Sequence, residues 1–111
     1  MPKKTGPYSH YAKDAALLLG QLIRKARVDR KMTAEELADR AGLSRGLLRR
    51  IENGDLGCTL GAVLEAAAIA GVQLFDADER ALASAVASNT AVMTLIPKSV
   101  RASRAKPNDN F

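Results

Sequence analysis

Aromatic side chains are scarce, with no tryptophan, two tyrosines and two phenylalanines among 111 residues. Any core must therefore be aliphatic, and leucine, alanine and valine are plentiful enough to build one. A single cysteine, Cys58, excludes an internal disulfide. Standing just before Thr59, it reads as a small, half-buried side chain and not as a redox sensor. The single histidine, His10, has neither a second histidine nor a cysteine nearby, so no metal site is expected. There is no glycine-rich phosphate loop and no serine or cysteine beside a histidine base, so neither an enzyme nor a cofactor is expected. No stretch resembles a secretion signal and no apolar run reaches membrane-spanning length, which points to a cytoplasmic protein without a membrane partner. No series of alternating strands is visible.

A chain of 111 residues supports one modest domain with tails. Its net charge of +5 is unevenly spread. Residues 1–58 carry 12 basic and 7 acidic groups, residues 59–97 carry one and four, and residues 98–111 carry four and one. Basic character at the front and in the tail, around an acidic segment, suits a polyanionic partner.

Residues 33–54, TAEELADRAGLSRGLLRRIENG, hold two short helix signals joined by Ala-Gly-Leu-Ser. Thr33 with Glu36 is a capping box that occupies free backbone donors at a helix start. Leu37 and Ala38 form that helix's buried side. Gly42 suits a tight turn in a conformation that side chains resist. Ser44 can then cap a second helix, which Asn53 and Gly54 end. On a helical wheel Arg45, Gly46, Arg49 and Arg50 share one arc, with Leu47, Leu48 and Ile51 opposite. A guanidinium fork matches the O6 and N7 acceptors of guanine, which suits Arg45 and Arg49 for reading bases in a major groove, and Gly46 permits close approach.

With these residues in place, the stretch IRKAR-x-DRKMTAEELADRAGLSRGLLRRIENG resembles the Cro/CI-type (xenobiotic response element) helix-turn-helix regulators, which include lambdoid phage repressors and HipB-like antitoxins. The likeness spans about residues 19–74. It implies an all-α fold, a compact lambda-repressor-like bundle of five helices, that binds DNA as a dimer. It also implies an ion pair between Arg27 and Glu52, base contacts from Ser44, Arg45, Gly46, Arg49 and Arg50, and a phosphate contact from Asn53. Further phosphate contacts are expected from Thr33, Arg24, Lys31 and Arg40. Many phage members carry glutamine after the threonine that opens the second helix; this chain departs from them with Ala34.

Around the motif, residues 1–8 read as a loose arm and residues 9–90 as the DNA-binding domain with a dimerisation helix. Residues 91–111 read as a C-terminal extension ending in a disordered tail with Phe111 as an anchor for a protein partner. The first helix, about residues 9–30, is expected to bury Ala15, Leu18, Leu19, Leu22, Ile23 and Ala26, which recur at three and four. A fourth, over residues 60–70, is expected to turn Leu60, Val63, Leu64, Ala67 and Ile69 inward and to stop at Gly71. Residues 72–75 fit either further helix packing or a short strand at a dimer interface. Asp76 with Glu79 reads as another capping box, opening a fifth helix that buries Leu82, Ala85 and Val86 as the dimer seam.

Two binding roles compete. One is a stand-alone Cro/CI-type repressor that reads a palindromic operator in double-stranded DNA as a homodimer. The other is the HipB-like antitoxin of a type II toxin-antitoxin pair, which binds a HipA-type kinase toxin and represses its own operon. The likeness to the HipB group lies in the length, the LIRKAR start, and LIPKSVR before the Asn-Asp-Asn-Phe ending. A basic helix also suits RNA, and competition between a palindromic duplex and structured RNA separates that third role.

Overall fold

In the computed structural model, which describes residues 8–102, each α-helix begins where a side-chain oxygen caps it. Ser9 opens α1 (His10–Asp29), Thr33 opens α2 (Ala34–Ala41), Ser44 opens α3 (Arg45–Glu52), Thr59 opens α4 (Leu60–Ala70) and Asp78 opens α5 (Glu79–Met93). Each of these residues has extended backbone and accepts from an amide three positions on, the geometry that satisfies orphan donors at a helix start. The described residues are all-α: five helices and no strand. They divide into two units, one ending at Asp76 and the other beginning at Ala77.

In the first unit α1 packs on α3 and α4, and α2 packs on α3 and α4. Their shared core is Ile23, Met32, Leu37, Ala38, Leu48, Ile51, Ala66, Ala67 and Ala70, aliphatic as the composition requires. α1 does not bury the stripe expected of it: Ala15, Leu18 and Leu22 are exposed, while Gly20 and Ile23 are buried and Leu19 and Ala26 half-buried. Gly20 sets this rotation. A Cβ there would collide with the carbonyl oxygen of Ile51 and lie 2.8 Å from that of Glu52, so α1 meets the end of α3 at its least bulky residue.

α4 shows the same preference for small contacts. Ala66, Ala67 and Ala70 are buried, with Val63 and Ile69 half-buried, whereas Leu60 and Leu64 face outward. Alanines let the α4 backbone sit close to α1 and α2, and the larger leucines fall off that line.

No strand forms after α4. Leu74–Asp76 make a short 3-10 turn, with Phe75 and Asp76 at φ 57° and 54°. A left-handed Asp76 cannot serve as an N-cap, which needs extended backbone. The cap of α5 is therefore Asp78, whose carboxylate accepts from the Ala81 amide at 2.8 Å.

The second unit, described by itself, is α5 and the chain that follows it. The helix runs on to Met93, and none of its residues is buried. Ala85 and Val86, expected to be covered, are exposed, and Leu82 is half-buried. The expectations for residues 1–7 and 103–111, including Phe111, fall outside the described residues.

Candidate nucleic-acid interface

The helix pair α2 and α3 is fixed at every joint. The Glu36 amide donates to the Thr33 hydroxyl at 3.0 Å and the Thr33 amide to the Glu36 carboxylate at 2.8 Å, completing the capping box. Gly42 ends α2 at φ 71°, ψ 31°, and the Leu43 amide returns to the Ala38 carbonyl at 2.8 Å. Ser44 then accepts from the Leu47 amide at 3.0 Å. α3 leaves the turn with Leu48 and Ile51 buried, Leu47 half-buried, and Arg45, Gly46, Arg49 and Arg50 all exposed.

At the far end of α3 a partly buried ion pair ties it to α1. The Arg27 guanidinium donates to both Glu52 carboxylate oxygens, at 2.8 and 3.0 Å, and to the Met32 carbonyl at 3.1 Å. Only 12% of the Arg27 side chain and 9% of that of Glu52 is exposed. The Glu52 hydrogen bonds raise the Arg27 pKa above its ordinary value against the opposing effect of burial.

Arg24, Arg45, Gly46, Arg49 and Asn53 line one cleft of about 600 Å³, with Ala34 also on its wall and the Arg27–Glu52 pair and Leu48 beneath. None of Arg24, Arg45 and Arg49 takes part in an ion pair among the described residues. The cleft therefore presents three guanidinium groups and one amide to whatever enters it. Small side chains at Ala34 and Gly46 keep it open, and a Cβ at Gly46 would meet nothing within 4 Å.

The remaining candidates lie elsewhere. Arg50 donates to the Asp55 carboxylate at 2.8 Å, whose other oxygen accepts from the Gly57 amide at 2.7 Å. The hydrogen bond from Arg50 and then that from Gly57 lower the Asp55 pKa, and Asp55 in turn raises that of Arg50. Lys31 and Arg40 line a separate recess with Arg30 and Glu36. The hydroxyls of Thr33 and Ser44 are already engaged as helix caps.

Two participants escape a reading of sequence alone. Asp55 is a carboxylate in a basic region, and its signal is the Asp-Leu-Gly order that favours a side-chain turn onto the following amide. Gly20 is a glycine inside an otherwise regular helical pattern, which marks a close approach. Cys58 is half-buried, and no group of three or more histidine, cysteine or carboxylate side chains able to hold a metal is present among the described residues. No helix there is long and apolar enough to cross a membrane.

A family model described as a helix-turn-helix domain matches residues 18–83, more than half of the chain. No curated protein matches it.

Proposed function

Since the chain belongs to the helix-turn-helix domain family, a family of DNA-binding regulators, we propose that it is a sequence-specific transcriptional repressor that acts as a homodimer. The observation that carries this reading is the cleft in which Arg45 and Arg49 stand, among the described residues, without carboxylate partners on a helix fixed at both ends. α3 enters the major groove, Arg45 and Arg49 read guanine edges, and Gly46 lets the backbone come close. Ser44 contributes at the helix start, and Arg50 acts from its pair with Asp55. Arg24, Asn53, Lys31, Arg40 and the Thr33 end of α2 meet phosphates. Two copies read a palindrome whose half-sites lie about 34 Å apart, one helical turn.

The test is selection of binding sites from random duplex DNA, followed by Arg45→Ala and Arg49→Ala on the selected site. Each is expected to weaken that site by about 1 to 3 kcal/mol and to relax preference at one base pair. Equal loss on random duplex would overturn base reading and leave only a charge contribution.

The finer role is that of a HipB-like antitoxin bound to a HipA-type kinase toxin. It is supported by the resemblance in LIRKAR and LIPKSVR, and by Leu95 and Val100, which stand 82% and 92% exposed in the latter stretch. A chain ending at Pro97, which loses Val100 and the basic tail, is expected to keep operator binding and to weaken binding of a kinase encoded beside it. Equal binding by the shortened and full chains would remove the tail from the interface, and a neighbourhood without such a gene favours the stand-alone repressor.

A further inference from the structure

The second unit carries a surface that DNA reading does not use. α5 has 15 residues, none of them buried. Val86, Val92 and Met93 are each more than half exposed and Ile96 nearly so. From residue 81 to residue 97 there is no charged side chain. A helix of this length is marginal in water when nothing covers it.

The order of residues identifies the cover. Read outward from Asn89, residues 82–96, LASAVASNTAVMTLI, present nearly the same chemistry in both directions. Hydroxyl falls opposite hydroxyl and apolar opposite apolar at every step, from Ser88 with Thr90 out to Leu82 with Ile96. Leu82, Val86, Asn89 and Met93 recur at four and three, so they share one face of α5, and Ile96 follows just past its end at the same spacing. The winding persists past Met93, because the Thr94 amide reaches the Ala91 carbonyl at 3.3 Å and the Leu95 amide that of Val92 at 2.9 Å.

We propose that α5 pairs with α5 of a second copy of this chain, antiparallel, across a two-fold axis at Asn89. The proposal rests on the homodimer reading above and goes beyond it by giving the seam, its direction and its register. Only an antiparallel pair makes use of a sequence that reads alike from both ends. Charge selects the same direction: Asp76, Asp78 and Glu79 precede the uncharged stretch with Arg80, while Lys98 and Arg101 follow it. Antiparallel copies set the net negative end of each against the partner's basic end, with Arg80 level with Lys98 as the one like pair, whereas parallel copies would stack the whole ends like on like. Asn89 is the single amide in the stripe, and an amide both donates and accepts, so two of them on the axis satisfy each other. A slipped register would leave each against apolar neighbours, which costs free energy. Asn89 thus fixes register in the way a lone core asparagine does in a coiled coil.

The test uses the full chain with Cys58→Ser as background, carrying either Ala85→Cys or Met93→Cys. Ala85 flanks the stripe beside Val86, and in the antiparallel seam position 85 lies level with position 93 of the other copy. Each position is separated from its own copy by eight residues, about 12 Å along the axis, beyond disulfide reach. Oxidising the mixture is expected to give cross-linked dimers at least about tenfold more abundant than either variant alone gives. Efficient cross-linking by each variant alone would overturn the direction. A dimer by light scattering that cross-links in no combination would overturn the seam while leaving the dimer reading intact. A monomer at micromolar concentration would overturn both, and DNA binding is read separately by gel shift. Asn89→Asp places two carboxylates on the axis and is expected to weaken association about tenfold or more at pH 7; unchanged association would also overturn the register.

Discussion

Arg27 and Glu52 join the last turn of α1 to the end of α3 through two hydrogen bonds of 2.8 and 3.0 Å. A third bond, from Arg27 to the Met32 carbonyl, extends the tie to the connection between α1 and α2. Both side chains are nearly enclosed, so each depends on the other for its solvation. Arg27→Ala is expected to destabilise the fold by about 3 kcal/mol, because it leaves a carboxylate enclosed without its partner. Urea denaturation measures this, and the double variant Arg27→Met with Glu52→Leu is expected to recover much of the loss. A single variant within about 0.5 kcal/mol of the parent would show that the pair is only a surface contact.

Asp55 engages the exposed Arg50 guanidinium in an ion pair. Asp55→Ala is expected to release the guanidinium for phosphate, raising affinity for random duplex and steepening the log-log salt slope by about 0.9, one contact's worth. Fluorescence anisotropy across a salt series reads this; an unchanged slope would show that Arg50 never reaches the backbone of the duplex.

The same pair sets a pH expectation. The folded Asp55 pKa lies below its ordinary 3.8, so its stabilisation is fully present above the unfolded value and is lost as pH falls through the folded one. Removing Asp55 is therefore expected to leave the shape of the stability profile between pH 5 and pH 8 unchanged and to alter it only below about pH 4. Thermal melts of the parent and of Asp55→Ala across that range provide the check.

Two glycines make opposite predictions. Gly20→Ala forces a methyl group against the backbone of Ile51 and Glu52 and is expected to cost about 1 to 3 kcal/mol of stability. Gly46→Ala meets open space and is expected to stabilise α3 by about 0.5 to 1 kcal/mol while weakening binding to the selected DNA site. Denaturation and binding measured on both variants decide whether each glycine serves packing or approach.

The motif itself was legible because its signals are local. Thr33, Glu36, Gly42, Ser44 and Asn53 each act within three or four residues of themselves, and the arginine arc of α3 follows from its period. The buried faces of α1 and α4 were not legible in the same way. Hydrophobic weighting favours Leu18, Leu22, Leu60 and Leu64, but the helices approach through Gly20, Ala66, Ala67 and Ala70, and close approach depends on a neighbour that no local pattern contains. The start of α5 turned on one backbone angle, since Asp76 and Asp78 are equally good caps by residue type and only the left-handed conformation of Asp76 separates them. Which arginines of the α3 arc stand unpaired depended on Asp55, outside the cleft, whose reach to Arg50 is set by the turn after α3.

α3 has only eight residues, and a peptide that short is a coil when isolated in water. Its shape is imposed from outside, by Ser44 at one end and by Arg27, through Glu52, at the other. The conformational entropy of α3 is therefore lost when the domain folds, so under the proposed function its docking on a duplex is expected to proceed as a rigid body with little further ordering. The heat-capacity change on binding should then match the apolar area covered at the interface, with no added component from coupled folding.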